Sequence, residues 1–539
     1  MSPLGSPSEA GALAPEIAWS PPGWPAERPS GGGAVEAWCY TDRFSYAPGE
    51  QVQVHVLATA PTYDLIVTRD GAEPEVVWER SGLAGVDAPT PAEAYAAGCG
   101  WPVGVSFEIP SDWPSGFHLL TIAVDLPDGS RWEREHFFVV LAPAPASPFV
   151  LVHATSTLLA YNDWGGANHY RGLSDDPRVD VGSPLSAVRR PIARGMLRKP
   201  ASAPREANRF TPPIGFTPTY PPYEWARLHG YGRHHADAGW ATYEGPFTRW
   251  AQQHGYAVDH LTQHDLHERP DALDGYACAL FVGHDEYWSW EMRDAVDRFV
   301  DGGGNVARFG GNFIWQVRLE DDGATQACYR LPSLDPAAAE TPRLATTIWD
   351  ARSVGRPGAA TLGLSGTAGC YNRYGAAAPR SSGGYTVYRP GHWLFAGTDL
   401  RYGDQLGALP VGIATFELDG VEFTFRKGLP YPTHEDGAPE GLEILAMCPA
   451  TAGERDTWAG TVPLSANVKE LDELYEGLGD DLPDYLRDHE YGAGMLACFE
   501  RGGTVVNTGA TEWVVGLIER DPFVERITHN VLRRLGGLA

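Results

Sequence analysis

The sequence lacks any apolar segment long enough to cross a membrane, which argues against an integral membrane protein. None of its apolar runs approaches the roughly 18 residues that a transmembrane helix requires. Its first residues also lack the basic region and following apolar region of a secretory signal peptide. We therefore expect neither membrane insertion nor secretion.

Cysteine is scarce and scattered. The seven cysteines are odd in number, and no two of them form a C-x-x-C motif. This spacing argues against a disulfide framework and against a zinc site made of thiolates. It is typical of a reducing compartment, and we expect a cytoplasmic location.

Basic residues are too few to balance the acidic ones. The chain has 41 Lys and Arg against 69 Asp and Glu, a formal net charge of -28. Such a charge repels phosphate backbones and anionic lipid, so we expect no nucleic-acid partner and no membrane partner. A neutral or cationic small substrate meets no long-range repulsion.

The length of 539 residues predicts more than one domain, because a single hydrophobic core stops growing well below that size. Residues 1–34 are rich in Pro, Gly, Ser and Ala and predict a flexible leader. Residues 35–141 alternate polar and apolar side chains and predict an Ig-like β-sandwich. The Pro-rich segment 142–148 predicts an extended linker. Residues 149–539 remain as one large domain.

The large domain alternates apolar strands with amphipathic helices, which is typical of an α/β fold with a mostly parallel sheet. Phe149–Val152 predicts its first strand, and Ala277–Val282 predicts a strand buried on both faces. Long loop insertions at 165–245 and 320–400 separate the regular elements, and loops of that length are usually functional. We expect them to cover the edge of the sheet where ligands bind.

Polar side chains follow two neighbouring predicted strands. His284 and Glu286 come directly after one strand, and Asn312 follows the next strand along the chain. Open α/β sheets place their ligand crevice at the carboxyl ends of their strands. His284 and Glu286 are two residues apart and therefore project to the same side of an extended backbone. A carboxylate and an imidazole there can bind a metal or move a proton.

The spacing alone leaves other interpretations open. His284 and Glu286 can simply satisfy backbone groups at a strand–helix turn. A cysteine nucleophile is disfavoured because Cys278 lies inside the predicted strand. The adjacent His234 and His235 predict a surface loop, since neighbouring side chains of extended backbone point to opposite sides. The chain has no G-x-S-x-G elbow, H-E-x-x-H helix or P-loop.

A series of short motifs resembles the C-terminal region of the large (beta) subunit of the N,N-dimethylformamidases. Each motif is weak alone, but their order over roughly residues 150–539 is fairly specific. The motifs are AYNDWGG (160–166), RRP (189–191), GHDEYWS (283–289), GGNV (303–306), GGNFIW (310–315), GTDLRYGD (397–404), GIATFELDG (412–420), GGTVVNTGATEW (502–513) and RITHNVLRRLGG (526–537).

The resemblance implies a mononuclear iron held by two tyrosinates and one glutamate, on an α/β domain similar to the glutamine amidotransferases. The glutamate ligand corresponds to Glu286, and one tyrosine ligand corresponds to Tyr161. His284 and Asn312 correspond to active-site residues of the family. Glu417, in the FELDG motif, corresponds to a second active-site glutamate, for which we expect the role of general acid or base.

The second tyrosine ligand is not where the family pattern puts it, shortly after the RRP motif. Tyr223 is the metal ligand that we predict instead, with Tyr220 as the alternative in the same TYPPYEW run. If neither reaches the site, the ion is bound differently, is another divalent metal, or is absent.

The resemblance implies hydrolysis of the carbon–nitrogen bond of a small amide or formamide by a metal-activated water. Two other functions stay open: a binding module for carbohydrate or peptide, and a metal-dependent oxygenase or lyase on the same scaffold. We expect a homo-oligomer, and the family implies a small second subunit as a partner.

Overall fold

The structure is a computed structural model, and it describes residues 26–175, 180–201, 203, 221–371, 382–415, 417–451, 470–487 and 491–538. Among these residues, no helix has both the length and the apolar composition needed to cross a membrane.

The first seven strands form one sheet near the N-terminus, in the order β1-β3-β6-β7-β2, with β4 and β5 also paired to β3. Alternation of side chains explains the sheet: Val52, Val54 and Val56 are fully buried, whereas Gln51 and Gln53 face solvent. The elements are β1 (Ala37–Thr41), β2 (Ser45–Tyr46), β3 (Gln51–Arg69), β4 (Glu75–Val86), α1 (Ala94–Ala97), β5 (Val103–Glu108), β6 (Gly116–Asp125) and β7 (Arg131–Val140).

The rest of the chain alternates strands and helices. Its first half contains β8 (Phe149–His153), α2 (Thr155–Tyr161), β9 (Leu185–Ala187), α3 (Pro221–His229), α4 (Glu244–Gln253), β10 (Asp259–Thr262), α5 (Gln263–Glu268), β11 (Cys278–His284), β12 (Tyr287–Trp288), α6 (Trp290–Asp301), β13 (Asn305–Gly311), β14 (Trp315–Gln316), β15 (Arg318–Glu320) and β16 (Thr325–Ala327).

Its second half contains α7 (Ala359–Leu362), α8 (Gly366–Gly369), β17 (Cys370–Tyr371), β18 (Tyr385–Val387), β19 (Gln405–Leu406), β20 (Glu417–Gly420), β21 (Phe423–Arg426), β22 (Leu429–Pro432), β23 (Glu443–Thr451), α9 (Glu470–Leu478), β24 (Tyr491–Arg501), β25 (Gly503–Asn507), α10 (Trp513–Ile518) and α11 (Pro522–Leu535). Short 3₁₀ helices lie at Pro336–Ala339, Pro342–Leu344, Trp393–Phe395, Gly479–Asp481 and Asp484–Leu486.

The large sheet has a parallel half and an antiparallel half. Strands β10, β8, β11, β13 and β25 are parallel neighbours in that order. From β25 onward, β24, β23, β17 and β20 continue the sheet with antiparallel pairs, and β18 and β19 join it in the same manner. The expectation of a mostly parallel sheet therefore holds for one half of the sheet, and the other half is antiparallel.

The architecture is compatible with a multidomain α/β fold, but its two parts share a core. One buried cluster contains Trp38 and Phe117 of the N-terminal sheet together with Trp164 and Trp240 of the α/β part. The rings of Phe117 and Trp240 are stacked with centroids 4.1 Å apart. The Ig-like and glutamine-amidotransferase-like assignments, and the proposed boundaries at 34, 141 and 148, stay predictions.

Helix α6 shows how the local sequence builds the element that follows β11. The side chain of Ser289 accepts a hydrogen bond from the backbone N–H of Met292 and caps the helix. Met292, Val296 and Phe299 recur every three to four residues and are buried. The helix begins and ends where this pattern predicts it, so the chain leaves the end of β11 at a defined point.

Candidate active site

The polar residues after β11 follow a glycine at a strained and closely packed position. Gly283 has a φ of 80°, and a Cβ built on it would lie 2.3 Å from the side chain of Tyr243. Beside it, β13 runs parallel, and His284 is paired in register with Gly311. His284 and the residue after Gly311, Asn312, therefore meet at the carboxyl edge of the sheet.

Asn312 turns into the site because its backbone is left-handed, with a φ of 64°. Asparagine adopts this conformation more readily than most residues. The preceding Gly311 permits close approach of another segment: a Cβ there would lie 2.7 Å from the backbone nitrogen of Thr511 and 2.9 Å from the carbonyl oxygen of Glu417. This approach brings Glu417, at the start of β20, to the same edge.

His284 is buried at the centre of these groups. Its Nδ1–H donates to the carbonyl oxygen of Asp237 at 2.7 Å, which leaves Nε2 facing the site. Nε2 lies 2.8 Å from Glu417 Oε2 and 3.3 Å from Glu286 Oε2. The amide nitrogen of Asn312 lies 3.0 Å from the same ring atom.

The charges around His284 decide its protonation. Burial by itself lowers the pKa of the imidazole, but the carboxylates of Glu417 and Glu286 outweigh burial and raise the pKa well above its ordinary value. The imidazole and Glu417 thus form a close, buried acid–base pair.

Two tyrosines converge on the carboxylate of Glu286. Tyr161 OH donates to Glu286 Oε2 at 2.9 Å, and Tyr170 OH lies 3.1 Å from the same oxygen. The two phenol oxygens are 2.9 Å apart. The three oxygens therefore form a nearly equilateral triangle at the end of α2 and the end of β11.

A ring of donors holds the triangle in place. Trp315 Nε1 donates to Glu286 Oε1 at 2.8 Å, and the backbone N–H of Glu286 donates to Thr157 Oγ1 at 2.9 Å. Tyr287 OH donates to Tyr170 OH at 2.6 Å. Burial, reinforced by the negative charge of Glu286, raises the pKa of Tyr161 and of Tyr287 well above the ordinary tyrosine value.

The structure brings together five of the predicted site residues, and it adds one that was missed. His284, Glu286, Asn312, Glu417 and Tyr161 meet at one point, as the preceding distances show. The addition is Tyr170, nine positions after Tyr161 in the run AYNDWGGANHY. The available signal was a second phenol in the segment that directly follows α2, the helix that ends at Tyr161.

The predicted ligand Tyr223 belongs to α3, but its side chain lies outside the described residues, as does all of Tyr220. Both assignments stay predictions. Tyr170 is the second phenol that the described part of the chain places at the site.

The expectation of a surface loop at His234 and His235 is wrong. Both side chains are buried. His234 Nδ1 lies 2.7 Å from Asp237 Oδ2, and its ring lies against Tyr161 and Tyr170 with centroids 5.3 and 5.5 Å away. Neighbouring side chains point to opposite sides only in extended backbone, and these two residues lie in a turn.

Cys278 is not placed as a nucleophile at the site. Cys278 is buried inside β11, and burial raises the pKa of its thiol far above the ordinary value. Within the described ranges, no three His, Cys, Asp or Glu side chains are grouped as metal ligands. A metal at this site would therefore need the phenol oxygens.

Solved structures match the chain only distantly. The sporulation control protein Spo0M from Bacillus subtilis is 18% identical over 20% of this chain and 50% of its own, with a TM-score of 0.15. Murine CRIg is 12% identical over 20% and 96%, with a TM-score of 0.14, and the superoxide reductase (neelaredoxin) from Ignicoccus hospitalis is 11% identical over 20% and 80%, with a TM-score of 0.13. The chain thus spans half the length of Spo0M. No curated protein matches it.

A family model matches most of the chain. The model describes the N,N-dimethylformamidase beta subunit-like, C-terminal family and covers residues 66–525. The match begins within β3, earlier than the motifs predicted, and so includes most of the N-terminal sheet that shares the core. The chain therefore belongs to the N,N-dimethylformamidase beta subunit-like, C-terminal family.

Proposed function

We propose that this protein is a metal-dependent hydrolase that cleaves the carbon–nitrogen bond of a small amide or formamide. The family supports a dimethylformamidase-like hydrolase in general terms. The observation that carries the specific proposal is the triangle of oxygens from Tyr161, Tyr170 and Glu286, directly beside the close pair of His284 and Glu417.

The three oxygens fit a hard metal ion such as iron. Oxygen ligands lie about 2.0–2.2 Å from a first-row divalent metal, so neighbouring ligands at right angles lie about 2.8–3.1 Å apart. The three separations in the triangle are 2.9, 2.9 and 3.1 Å. Two phenolates and one carboxylate would also match the charge of a ferric ion. Tyr161, Tyr170 and Glu286 are accordingly the residues that would hold it.

A bound ion would supply Lewis acidity, which activates water and polarises an amide carbonyl. The chain supplies the remaining parts. The side-chain amide of Asn312 is placed to donate a hydrogen bond to the oxyanion that forms from the carbonyl. His284 and Glu417 are placed to deliver their shared proton to the leaving nitrogen. The carbonyl of Asp237 fixes the ring so that Nε2 carries out this transfer.

The walls of the site suit this chemistry because they exclude water. Glu286, Glu417, His284 and Asn312 are all buried, and Trp315 covers one oxygen of Glu286. Charges and dipoles act more strongly in such surroundings than in water.

Replacing single phenols tests the proposal, because Tyr170 contacts Glu286 directly, whereas Tyr287 hydrogen-bonds to Tyr170. In the wild type we expect about one iron per chain, a visible tyrosinate-to-iron absorption band and hydrolysis of N,N-dimethylformamide. Tyr170→Phe should lose the band and most of the iron, whereas the matched variant Tyr287→Phe removes only a hydrogen bond to Tyr170 and should keep the band and lose far less iron. Metal analysis, absorption spectra and release of dimethylamine measure the three properties.

The proposal fails if iron-reconstituted wild type binds no metal, or if Tyr170→Phe keeps the spectrum of the wild type. Iron binding without amide cleavage would favour an oxygenase or lyase. Tyr223→Phe is included in the same series, because a loss of the band there would make Tyr223 a ligand.

We also propose a homo-oligomer with a small second subunit, which light scattering of the purified protein checks.

A further inference from the structure

A cavity of about 520 Å³ lies between the N-terminal sheet and the α/β part of the protein. Thr68 of β3 and Leu119 of β6 line it from one side, and Trp250 of α4 and Leu517 of α10 line it from the other. None of its lining residues in the described part of the chain belongs to the candidate active site. Its volume is typical of cavities that bind small organic molecules.

Positive charge is concentrated in this cavity. Four of its fifteen lining residues are cationic, namely Arg198, Lys199, Arg249 and Arg520, whereas Asp70 is the one anionic residue among them. The whole chain has the opposite balance, with 69 acidic against 41 basic residues. A cavity of positive potential in a negatively charged protein attracts anions and repels cations.

The three guanidinium groups keep most of their N–H donors for a ligand. Within the part of the chain that the structure describes, Arg249 donates only from Nη2, to Asp70 at 2.8 Å. Over the same residues, Arg520 pairs only through Nε, with Glu525 at 2.8 Å, and the ion pair of Arg198 is long, at 3.8 Å. An arginine has five N–H donors, so each of the three can bind an anion without losing its present partner.

The carboxylate of Asp70 already has partners on both of its oxygens. Oδ2 accepts hydrogen bonds from Trp240 Nε1 at 2.6 Å and from Arg249 Nη2 at 2.8 Å. Oδ1 accepts one from the backbone N–H of Gly71 at 2.9 Å. Asp70 therefore balances one guanidinium and leaves the other two without a carboxylate from the lining.

The buried part of the lining is apolar, and it comprises Leu119, Leu197, Trp250 and Leu517. The side chains of Arg198 and Arg520, by contrast, are 49% and 59% exposed. The cations thus lie towards solvent and the apolar side chains lie behind them. A ligand with a carbon skeleton would cover the apolar surface and place its charges beside the guanidiniums.

We propose that this cavity binds a small organic dianion, either a dicarboxylate or a phosphate ester. A guanidinium presents paired N–H donors that match a carboxylate or a phosphate group. Two negative charges correspond to the two guanidiniums that Asp70 leaves unbalanced. Because the lining comes from both parts of the protein, the bound dianion holds the N-terminal sheet and the α/β part together. The inference goes beyond the proposed function and does not depend on it.

Ligands of matched shape test the inference on the full-length protein. Glutarate and glycerol 2-phosphate are the two dianions, glutaramide is the neutral counterpart of glutarate, and inorganic phosphate has charge without a carbon skeleton. We expect at least one dianion to bind at least about tenfold more tightly than glutaramide and inorganic phosphate. The same dianion should raise the melting temperature. Calorimetry at low ionic strength measures binding, because salt screens exposed charges.

Arg198→Gln is the main variant, because its long ion pair contributes little to the fold. It should weaken binding of the dianion about tenfold, and Arg198→Lys should retain part of the affinity. Arg520→Asn should also weaken it, since asparagine tolerates the left-handed φ of 59° at that position. Arg298→Gln is the control, because Arg298 is 47% exposed but lies on α6, outside the cavity, and it should bind as the wild type does. Melting curves confirm that each variant is folded.

The inference is overturned if neither dianion binds saturably, or if glutaramide binds as tightly as glutarate. Inorganic phosphate that binds as tightly as both dianions also overturns it, because the carbon skeleton then contributes nothing. Equal losses in Arg298→Gln and Arg198→Gln would mean a general effect of charge rather than a site. Tighter binding of one dianion supports the inference and identifies the charged group. None of these measurements requires amide cleavage, so a failure of the proposed hydrolase leaves the dianion site standing.

Discussion

The N-terminal sheet and the active-site edge of the α/β sheet are both buried, but by opposite means. The N-terminal sheet encloses apolar side chains such as Val54, Leu65 and Val67, which need only be kept from water. The active-site edge encloses His284, Glu286 and Glu417, each of which needs specific partners. Burial in the first region supplies stability, and burial in the second supplies chemistry at the expense of stability.

Apolar burial and polar burial differ in how strongly they depend on the direction of each contact. Apolar burial depends on area and tolerates small shifts, whereas hydrogen bonds weaken steeply when their geometry changes. We therefore expect substitutions in the N-terminal sheet to act on stability and substitutions at the site to act mainly on metal content and rate.

Glu286→Gln should abolish most of the activity while leaving the fold intact. The substitution keeps the size of the side chain but removes the charge from the oxygen triangle. Residues that only support metal ligands contribute 10-fold to 100-fold, so loss of a ligand should lower activity by more than about 100-fold. Amide hydrolysis and iron content are the measurements. Glu291→Gln, in the exposed first turn of α6, is the control and should retain both.

Arg308→Met should destabilise the protein by about 3–5 kcal/mol, because it leaves buried carboxylates unpaired. Arg308 pairs with Asp285 at 3.3 Å and with Asp419, and these residues belong to the three segments that carry the site. Chemical denaturation measures the loss. The triple variant that adds Asp285→Asn and Asp419→Asn removes the unpaired charges and should recover much of it. If the triple variant is no more stable than Arg308→Met, buried charge is not the cause.

Leu65→Ala should lower the free energy of unfolding by about 2–5 kcal/mol through the cavity that it leaves in the N-terminal sheet. Leu65 is fully buried in β3. Activity per folded molecule should not change. Urea denaturation and hydrolysis assays check the two statements, and Val76→Ala is the control because Val76 is 56% exposed. A marked loss of kcat at full folding would contradict the division between the two regions.

Glu244→Gln should produce the smallest effect, a change in how stability depends on pH. Burial, followed by weaker repulsion from Asp285, raises the pKa of Glu244 from 4.5 to about 7. A raised pKa means that the folded state binds the proton more tightly, so the contribution to stability is complete below about pH 4.5. It is lost as the pH rises through about 7.

The melting temperature of the wild type should therefore fall, relative to Glu244→Gln, between pH 5 and pH 8. Glu440→Gln, at an exposed position, should show no such relative change. Parallel pH profiles for wild type and Glu244→Gln would contradict the prediction.

Much of the local structure could be predicted from residues close in the chain. The cap at Ser289 and the period of Met292 and Val296 located α6, and the break at Gly283 located the end of β11. The spacing of apolar and polar residues along a segment indicates which of its faces is buried, and this spacing is a local property. The position of His284 and Glu286 at a strand end followed from the same pattern.

Tyr170 and the buried pair at His234 could not be predicted in this way. Both lie in irregular segments, where no period relates a residue to the face it buries. The contact of His284 with Glu417 joins residues 133 positions apart in the chain, and neither motif contains information about the other. Their proximity depends on which strands are neighbours in the sheet.

The sequence by itself determined the strands, the helices and the polar residues at strand ends, because hydrophobic period and capping act over a few residues. Only the tertiary structure decided that Tyr161, Tyr170 and Glu286 share one point and that three arginines from separate segments line one cavity. The physical reason is that β8, β11 and β13 are placed side by side by packing over the whole sheet. Loops then meet across distances in the chain that no local pattern spans.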